Sequence, residues 1–405
     1  MTLGPLRHNR DWAILWTGQT VSEFGSSMSF LVFPLIGYAI TGSPAQAGLA
    51  SSAVMLGGVL TGLPAGVIVD RSSRRRILLL AALAGAILYG SLAVAALAHS
   101  LTLPHLVAVG FLSGVVESFF DPAASAAVRT VVAPVDLPVA FSQAQARRHA
   151  ASLVGPPLGG ALYSVARGLP FLVDAVTYGV SAMAITALRT PLPAPDGPRR
   201  HVRAEMSEGL RFAWSNAAIR AILLWGSMIN FSVDLALLVI TLRLVRGGVH
   251  PAAIGSIETI AAVAGLLGAV VAPAITTRMR TGLTTLLTGT VLAVVMLPIA
   301  FTGNVVVIGI WLAIGFFLLP ANNSGISAYQ TSVVPDRLQG RVNSAGRFIS
   351  NAIVPASPLL AGVFVEGLGG RTASLLAAAL VASALIPLLA SPAIRRLGRP
   401  ADWNR

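Results

Sequence analysis

Long apolar stretches alternate with short polar connections along the whole chain. A hydrocarbon core of ~30 Å needs about 20 helical residues to cross it. Because these stretches are apolar on every face, they are not amphipathic helices of a soluble surface. The first stretch is too long for the apolar core of a signal peptide and predicts a spanning helix. In total the pattern predicts twelve transmembrane helices, near residues 13–40, 45–69, 76–98, 102–127, 140–165, 169–188, 218–242, 252–276, 282–301, 304–329, 343–364 and 371–392.

The composition requires lipid as the solvent. Hydrophobic residues make up 55% of the 405 residues and charged residues only 11%. A soluble domain carries about a quarter charged residues, so lipid must cover the remaining apolar area. The chain has no cysteine, which excludes disulfides and thiolate metal sites.

The basic residues set the expected orientation. All 28 are arginines, and they give the chain a net charge of +13. Their spacing between apolar stretches is typical of the positive-inside pattern, so we expect no nucleic-acid partner. With the N-terminus in the cytoplasm, 24 of the 28 stay inside, and the four on the far side are Arg167, Arg243, Arg246 and Arg371. We expect both termini in the cytoplasm.

The composition changes between the sixth and seventh stretches, where prolines and arginines indicate a cytoplasmic linker. Towards its end, Met206 and Leu210 alternate with Glu208 and Arg211 at helical spacing. This pattern predicts a short amphipathic helix on the membrane surface. The expected organisation is a six-helix bundle, a linker and a second six-helix bundle, over residues 1–189, 190–217 and 218–405.

The two predicted bundles resemble each other. A shift of 201 residues places Pro134 over Pro335 and Pro157 over Pro358. Parallel six-helix repeats place a substrate site at their interface, near the middle of the bilayer. The expected fold class is therefore an all-α membrane protein built from two pseudo-repeats.

A charged motif ends the second stretch. A stop-transfer cluster would explain its arginines but not its acid, because an acid at a helix C-terminus opposes the helix dipole. The spacing resembles the major facilitator signature Gly-x-x-x-Asp-Arg-x-Gly-Arg-Arg, with Ser73 in place of the second glycine. The resemblance extends over the chain and implies a twelve-helix transporter. The motif residues are Gly66, Asp70, Arg71, Arg74 and Arg75.

The resemblance also implies a gate. In this family the acid of the signature docks on the cytoplasmic end of the eleventh helix and stabilises the outward-facing state. Asp70 would accordingly face the segment that contains Arg341. Asp121 lies nearer the cytoplasm than the other membrane acids and is expected to pair with Arg71 or Arg74.

The fifth stretch contains a glycine-proline motif of Gly155, Pro156, Gly159 and Gly160. Close helix packing would explain it, since glycines four residues apart let backbones approach. The motif also resembles the Gly-Pro-x-x-Gly-Gly signature of proton-coupled exporters, which implies a kinked hinge between the bundles. Segments around it are similar to a bacterial branch of drug:proton antiporters that includes macrolide, tetracycline-type and siderophore exporters.

Acids inside the predicted spans are candidates for proton coupling, because acids at membrane depth are costly and usually functional. Glu23, Glu117 and Asp234 lie nearest the middle of their spans. Asp174 and Glu258 lie nearer the outer face, where an arginine pair or snorkelling to the interface is the simpler interpretation. Glu23 and Glu117 have no basic neighbour in sequence, and in the family their spans line the cavity, so they are the leading candidates.

Other polar residues have two interpretations each. Arg147, near the inner start of the fifth span, is either the partner of these acids or a structural clamp. Ser113 and Ser118 are possible hydrogen-bond partners of Glu117. Three amides are expected either to contact cargo or to bond neighbouring helices, namely Gln19, Asn230 and Asn322.

These observations favour a transporter over an enzyme. The chain has no Gly-x-x-x-x-Gly-Lys phosphate loop. The resemblance implies a monomeric exporter in the bacterial inner membrane that moves small hydrophobic or amphipathic molecules, uses the proton gradient and needs no cofactor. A siderophore or lysophospholipid transporter of the same fold is the first alternative. A polytopic membrane enzyme or assembly factor is the second.

The orientation can be tested with single cysteines, because the chain has none. In intact cells we expect a membrane-impermeant thiol reagent to label His99→Cys and to leave Arg200→Cys unlabelled. Both variants should be labelled after lysis. Labelling of position 200 from outside would contradict the orientation.

Overall fold

The computed structural model describes residues 5–193 and 202–399. Within these residues the regular secondary structure is helical and contains no strand. Residues 194–201 of the predicted linker, including Arg200, lie outside the described part. The same holds for the side chains of residues 202–206, Asp336 and Arg337.

Contacts divide the chain into two compact units. Unit 1 comprises Met1–Pro198 and His250–Gly255, and unit 2 comprises Arg199–Val249 and Ser256–Arg405. The division after Pro198 falls inside the connection predicted over 190–217. Sequence did not indicate that His250–Gly255, which follows the seventh span, would pack with unit 1.

Unit 1 contains six long helices, one for each predicted span of the first half. Asn9 starts the first helix by accepting a hydrogen bond from the N–H of Trp12, and Gly42 ends it in the left-handed region at φ 68°. The helices are α1 (Arg10–Thr41), α2 (Pro44–Val69), α3 (Arg74–Leu97), α4 (Leu103–Val131), α5 (Leu137–Val165) and α6 (Leu169–Ala187).

Unit 2 contains shorter helices, because three of its spans are interrupted. The breaks in the tenth, eleventh and twelfth spans lie next to Pro320, Pro355 and Pro387, and proline removes a helical hydrogen bond. The helices are α7 (Val202–Ser215), α8 (Ala217–Arg246), α9 (Pro251–Arg278, whose first residues pack with unit 1), α10 (Thr281–Ile299), α11 (Val305–Phe317), α12 (Leu319–Val333), α13 (Asp336–Ala352), α14 (Ala356–Leu368), α15 (Gly370–Ser383), α16 (Ile386–Ala390) and α17 (Pro392–Arg395).

The chain is a multi-pass membrane protein. Among the described residues, ten helical segments are long and apolar enough to cross a membrane. Helices α2 and α5 cover the other two predicted spans. Helix α5 is the more polar of these two, since its first half carries Gln145, Arg147 and Arg148.

Glycine brings the helices of unit 1 into backbone contact. A Cβ atom at Gly57 would lie 2.0 Å from the carbonyl oxygen of Phe111, and one at Gly114 would lie 1.9 Å from that of Val54. Helices α2 and α4 therefore touch along their backbones. In unit 2, Gly268 of α9 meets the carbonyl oxygen of Phe317 in the same way, at 2.0 Å. The same kind of contact thus recurs in the second bundle.

An aromatic cluster fills the centre of unit 1. Phe33 of α1 makes edge contacts with Tyr89 of α3 and Phe171 of α6, and Tyr89 stacks on Tyr178 at 5.7 Å. All four rings are buried. Aromatic pairs of this geometry contribute about 0.5–1.5 kcal/mol beyond burial, so the cluster joins three helices around one core.

The amphipathic segment of the linker forms α7, and its packing was not predicted. Part of its apolar face is covered by protein, because Ala213 is fully buried beside Leu338 and Val342. Leu210 and Trp214 remain exposed. The helix therefore packs on α13 of unit 2, and Leu210 and Trp214 stay available for a membrane-surface contact.

The contact between α2 and α4 predicts the effect of adding one methyl group. Gly114→Ala should lower the midpoint of thermal unfolding in detergent, because the added carbon overlaps backbone and forces a shift costing about 1–3 kcal/mol. Gly62→Ala in α2 is the matched control, since nothing lies within 4 Å of its Cβ position. Equal stability of the two variants would contradict the close contact.

Candidate functional site

An arginine and an acid face each other inside unit 1. Arg147 of α5 places Nε 3.7 Å from the Oε2 of Glu23 in α1. Its Nη1 donates to the Oε1 of Gln19 at 2.9 Å. The side chain of Arg147 is 6% exposed and that of Glu23 34%. Arg147 therefore pairs with Glu23 and also clamps α5 to α1 through Gln19, and the choice between a coupling and a structural role stays open.

The glycine-proline motif brings α5 against α1. A Cβ at Gly155 would lie 2.3 Å from the Oγ of Ser27, and one at Gly159 would lie 2.4 Å from the carbonyl oxygen of Met28. Ser27 also donates to the carbonyl oxygen of Ala151 at 2.8 Å. These contacts fix the register that aligns Arg147 with Glu23.

The motif also packs on the start of α9, within unit 1. A Cβ at Gly160 would lie 2.5 Å from the carbonyl oxygen of Pro251, and one at Gly255 would lie 2.5 Å from that of Pro156. Helix α5 continues through both Pro156 and Pro157. Close packing is therefore present, and hinge motion stays a prediction.

Two acids lie one turn apart on α4. Glu117 and Asp121 are both exposed on the surface of unit 1 and lie near enough to Glu23 for their charges to interact. The expected serine partners are engaged elsewhere, since Ser113 donates to the carbonyl oxygen of Gly110 and Ser118 to that of Val115. The acids of α1 and α4 thus form one electrostatic group with Arg147.

Asp174 of α6 differs from its expected description. It is fully buried, and its Oδ1 accepts a hydrogen bond from the hydroxyl of Thr177 at 3.3 Å. Gly25 of α1 makes room for the carboxyl, since a Cβ there would lie 2.6 Å from Oδ1. Among the described residues no arginine pairs with Asp174, so neither the arginine pair nor snorkelling accounts for it.

Unit 2 carries a separate, open cavity of about 820 Å³ lined mainly by α8, α11, α12 and α13. Its wall is partly apolar, with Trp225 and Phe316, and partly polar, with Asn230 and Asp234. Asn230 donates to the carbonyl oxygen of Ser350 at 3.3 Å, and Asp234 accepts a hydrogen bond from the Oγ of Ser357. Of the residues predicted for proton coupling and the substrate cavity, Asn230 and Asp234 line this cavity.

The predicted amide on α12 is placed differently. Asn322 is 1% exposed and donates to Asn323 at 3.5 Å, whereas Asn323 itself lines the cavity. The direction of a helical side chain changes by about 100° per residue, so the neighbouring amide faces the opening. Asn322 is thus buried away from the cavity, and its bond to Asn323 stays within α12, so among the described residues neither cargo contact nor a bond to a neighbouring helix is seen for it.

Sequence analysis missed the polar face of α13. Asn343, Arg347 and Ser350 line the cavity. Their spacing of four and three residues is that of one helical face. This signal was present in the sequence and could have identified the wall.

Glu258, on α9, interacts electrostatically with Asp234.

The motif after α2 ties together the ends of three helices. Asp70 caps α2 through its backbone N–H, which donates to the carbonyl oxygen of Gly66 at 3.0 Å. Arg74 donates to the hydroxyl of Thr130 at the end of α4, and Arg75 donates to the carbonyl oxygen of Thr186 at the end of α6. Arg71 is exposed. The predicted pairing of Asp121 with Arg71 or Arg74 and the docking of Asp70 on the eleventh span stay predictions.

Arg341 of α13 has a partner that was not foreseen. It forms an ion pair with Glu208 of α7. A Cβ at Gly209 would lie 2.5 Å from the carbonyl oxygen of Arg341, so the two helices touch at this point. The linker helix is thereby joined to the start of the eleventh span.

Comparison with known sequences identifies relatives over most of the chain. The profile described as Major Facilitator Superfamily matches residues 15–358. A multidrug efflux pump Tap of Mycolicibacterium fortuitum is 28% identical over 359 residues, covering 85% of this chain and 87% of the relative. A pump of the same name in Mycobacterium tuberculosis is 27% identical over 397 residues, covering 92% and 91%.

Comparison with solved structures supports the fold. The nucleoside transporter NupG aligns with a TM-score of 0.74 at 12% identity, covering 95% of this chain and all of that structure. A bacterial homologue of the iron transporter ferroportin aligns with a TM-score of 0.69 at 18% identity, covering 95% and 99%. At such identities the likeness concerns the fold alone.

The motif after α2 leads to a prediction for transport. Asp70→Asn and Arg74→Ala should fold and insert but transport about tenfold more slowly, the effect of a ~1.4 kcal/mol shift between two access states. Arg76→Ala is the matched control, since Arg76 is exposed and has no hydrogen bond among the described residues. Wild-type transport rates in both test variants would contradict a role of the motif in transport and leave it a role in membrane orientation alone.

Proposed function

Because the chain belongs to the Major Facilitator Superfamily, we propose that it exports small hydrophobic or amphipathic molecules in exchange for protons. The observation that carries this proposal is the Arg147–Glu23 pair, at 3.7 Å inside the membrane-spanning part of unit 1. Charges at this depth are costly and generally serve function. The efflux pumps that share 27–28% of the sequence support the direction of transport.

The pair offers a direct means of coupling. A proton on Glu23 removes the negative charge that faces Arg147, and the guanidinium then keeps its hydrogen bond to Gln19 and its weaker interaction with Asp121. Glu117 and Asp121 lie within electrostatic range of Glu23. A proton bound by one acid therefore changes the field at the others, and the group titrates as a unit.

We propose that the cavity of unit 2 binds the transported molecule. Trp225 and Phe316 offer apolar surface, and Asn230 and Asp234 offer an amide and a carboxyl. A mixed wall of this kind suits molecules that carry both an apolar body and a polar or cationic group. Its volume of about 820 Å³ is within the ~300–1,000 Å³ of ordinary ligand sites.

Transport would proceed by alternating access, with the two units rocking about a site near the middle of the bilayer. The proton gradient would supply the energy, and no cofactor or covalent chemistry is needed. We further propose that the protein works as a monomer in the bacterial inner membrane, with both termini in the cytoplasm. The arginine asymmetry supports this orientation.

Coupling can be tested in proteoliposomes with an imposed pH gradient. Glu23→Gln and Glu117→Gln should each abolish proton-driven efflux of a fluorescent cationic dye, because neither amide can take up a proton. Dye binding, measured by fluorescence titration of the purified variants, should persist. Gradient-driven rates like the wild type in the double variant would eliminate both residues.

The control for this experiment is a carboxyl outside the spans. Asp136→Asn changes an acid in the connection before α5 and should leave coupled efflux unchanged. An uncoupler should abolish wild-type efflux and leave the residual rate of Glu117→Gln unaffected. Efflux that needs no pH gradient in the wild type would contradict proton coupling altogether.

A further inference from the structure

A second cavity lies at the end of unit 1 that is predicted to face outside. It has a volume of about 810 Å³ and lies where the ends of α3 and α5 meet the starts of α6 and α9. The residues that matter for its chemistry are Leu97, His99, Tyr163, Val165, Arg167 and His250. It is distinct from the Arg147–Glu23 pair and from the cavity of unit 2.

Close backbone contacts build this cavity. A Cβ at Gly168 would lie 2.9 Å from the carbonyl oxygen of Ala93, so the loop that carries Arg167 is held against the end of α3. The contact of Gly160 with Pro251 holds His250 beside the end of α5. The two basic residues are therefore brought to one place by the packing of the helices.

The histidine at the end of α3 has an unusual backbone. His99 has φ 53°, the one non-glycine residue with positive φ in the described part of the chain. Histidine is among the few residues enriched in this left-handed region. The turn directs the chain back towards α4 and leaves His99 on the cavity wall.

Arg167 differs from the other three arginines on this side of the membrane. Arg243 donates to the carbonyl oxygens of Ile299 and Thr302, Arg246 to a carbonyl oxygen of α14, and Arg371 lies 4.6 Å from the ring centre of Phe301. Arg167 is exposed, and among the described residues it has no hydrogen bond and no ion pair. Its charge faces the cavity.

The wall has no negative charge to neutralise this arginine. Among the described residues that line the cavity none is acidic, whereas His99 and His250 add two imidazoles. An outward-facing arginine also opposes the positive-inside distribution. The wall is therefore suited to an anionic group.

Apolar side chains adjoin the basic ones. Leu97 is 48% exposed and Val165 79% exposed, and they are the last residues of α3 and α5, at the end of unit 1 that is predicted to face outside. A ligand that covers them while its anion contacts Arg167 must be amphipathic. A soluble anion would leave this apolar area uncovered.

We propose that this cavity binds a phospholipid with a net negative headgroup. The phosphate contacts Arg167, His99 and His250, and the first part of an acyl chain lies along Leu97 and Val165. Basic pockets between membrane helices recognise lipid headgroups by this combination. The volume of about 810 Å³ accommodates the headgroup and the adjoining chain segments.

The test uses a single fluorophore next to the cavity. Ser100→Cys, beside His99 but outside the lining, is labelled in the otherwise cysteine-free chain and placed in phosphatidylcholine nanodiscs. Brominated phosphatidylglycerol should quench this label more strongly than the same fraction of brominated phosphatidylcholine. In the Arg167→Gln background the lipid preference should fall about fivefold, the effect expected for one arginine near a membrane surface.

A second label separates the cavity from general charge attraction. Val135→Cys, 80% exposed in the connection before α5, lies at the arginine-rich end of the protein. Its lipid preference should be unchanged by Arg167→Gln. Arg129→Gln, which removes an exposed arginine at the inner end of α4, should leave the preference at Ser100 unchanged.

Two further controls test whether free phosphate binds in place of a lipid and whether a variant has lost its fold. Excess inorganic phosphate should not reverse the quenching at Ser100, and reversal would show a simple anion site instead. Arg167→Lys should restore most of the preference. If Arg167→Gln does not fold, the His99→Gln/His250→Gln double variant should lower the preference in its place. Equal quenching by the two lipids at Ser100 would overturn the proposal.

Discussion

The backbone contacts that glycine allows between neighbouring helices are the constraint on which this structure depends. Lipid tails are as apolar as leucine, so membrane helices associate mainly through close van der Waals packing and hydrogen bonds. Here α2 and α4 touch at Gly57 and Gly114, and α5 touches α1 at Gly155 and Gly159. The Arg147–Glu23 pair and the buried Asp174 of unit 1 take their positions from such contacts.

The arrangement of charge follows from that packing. Arg147 and Glu23 are separated by 124 positions in sequence, yet the approach of α5 to α1 places them 3.7 Å apart. Asp174 is buried beside Gly25 for the same reason. Charge inside hydrocarbon is costly. An ionisable group there is therefore either paired with another group or retained because it serves a function.

Sequence predicted the elements better than the contacts. Apolar stretches marked all twelve spans, because the bilayer imposes a minimum length that composition alone reveals. The prolines at positions 320, 355 and 387 also indicated the helix breaks, although the predicted spans ran through them. Arg147 was a candidate partner of both Glu23 and Glu117, but its choice of Glu23 had no local signal, since a contact between distant helices depends on how they cross. The polar face of α13 did have a signal, in the helical spacing of Asn343, Arg347 and Ser350.

The linker helix has a consequence for how the chain is divided. Leu192 is buried and accepts a hydrogen bond from Ser73 of unit 1, whereas α7 is joined to unit 2 by Glu208 and Gly209. The natural point at which to cut the polypeptide is therefore before α7, and not after it. Two separately expressed halves would keep their own contacts only if the second half begins at or before Val202. A second half that begins at α8 would lose the ion pair of Arg341 and expose the apolar surface around Leu338.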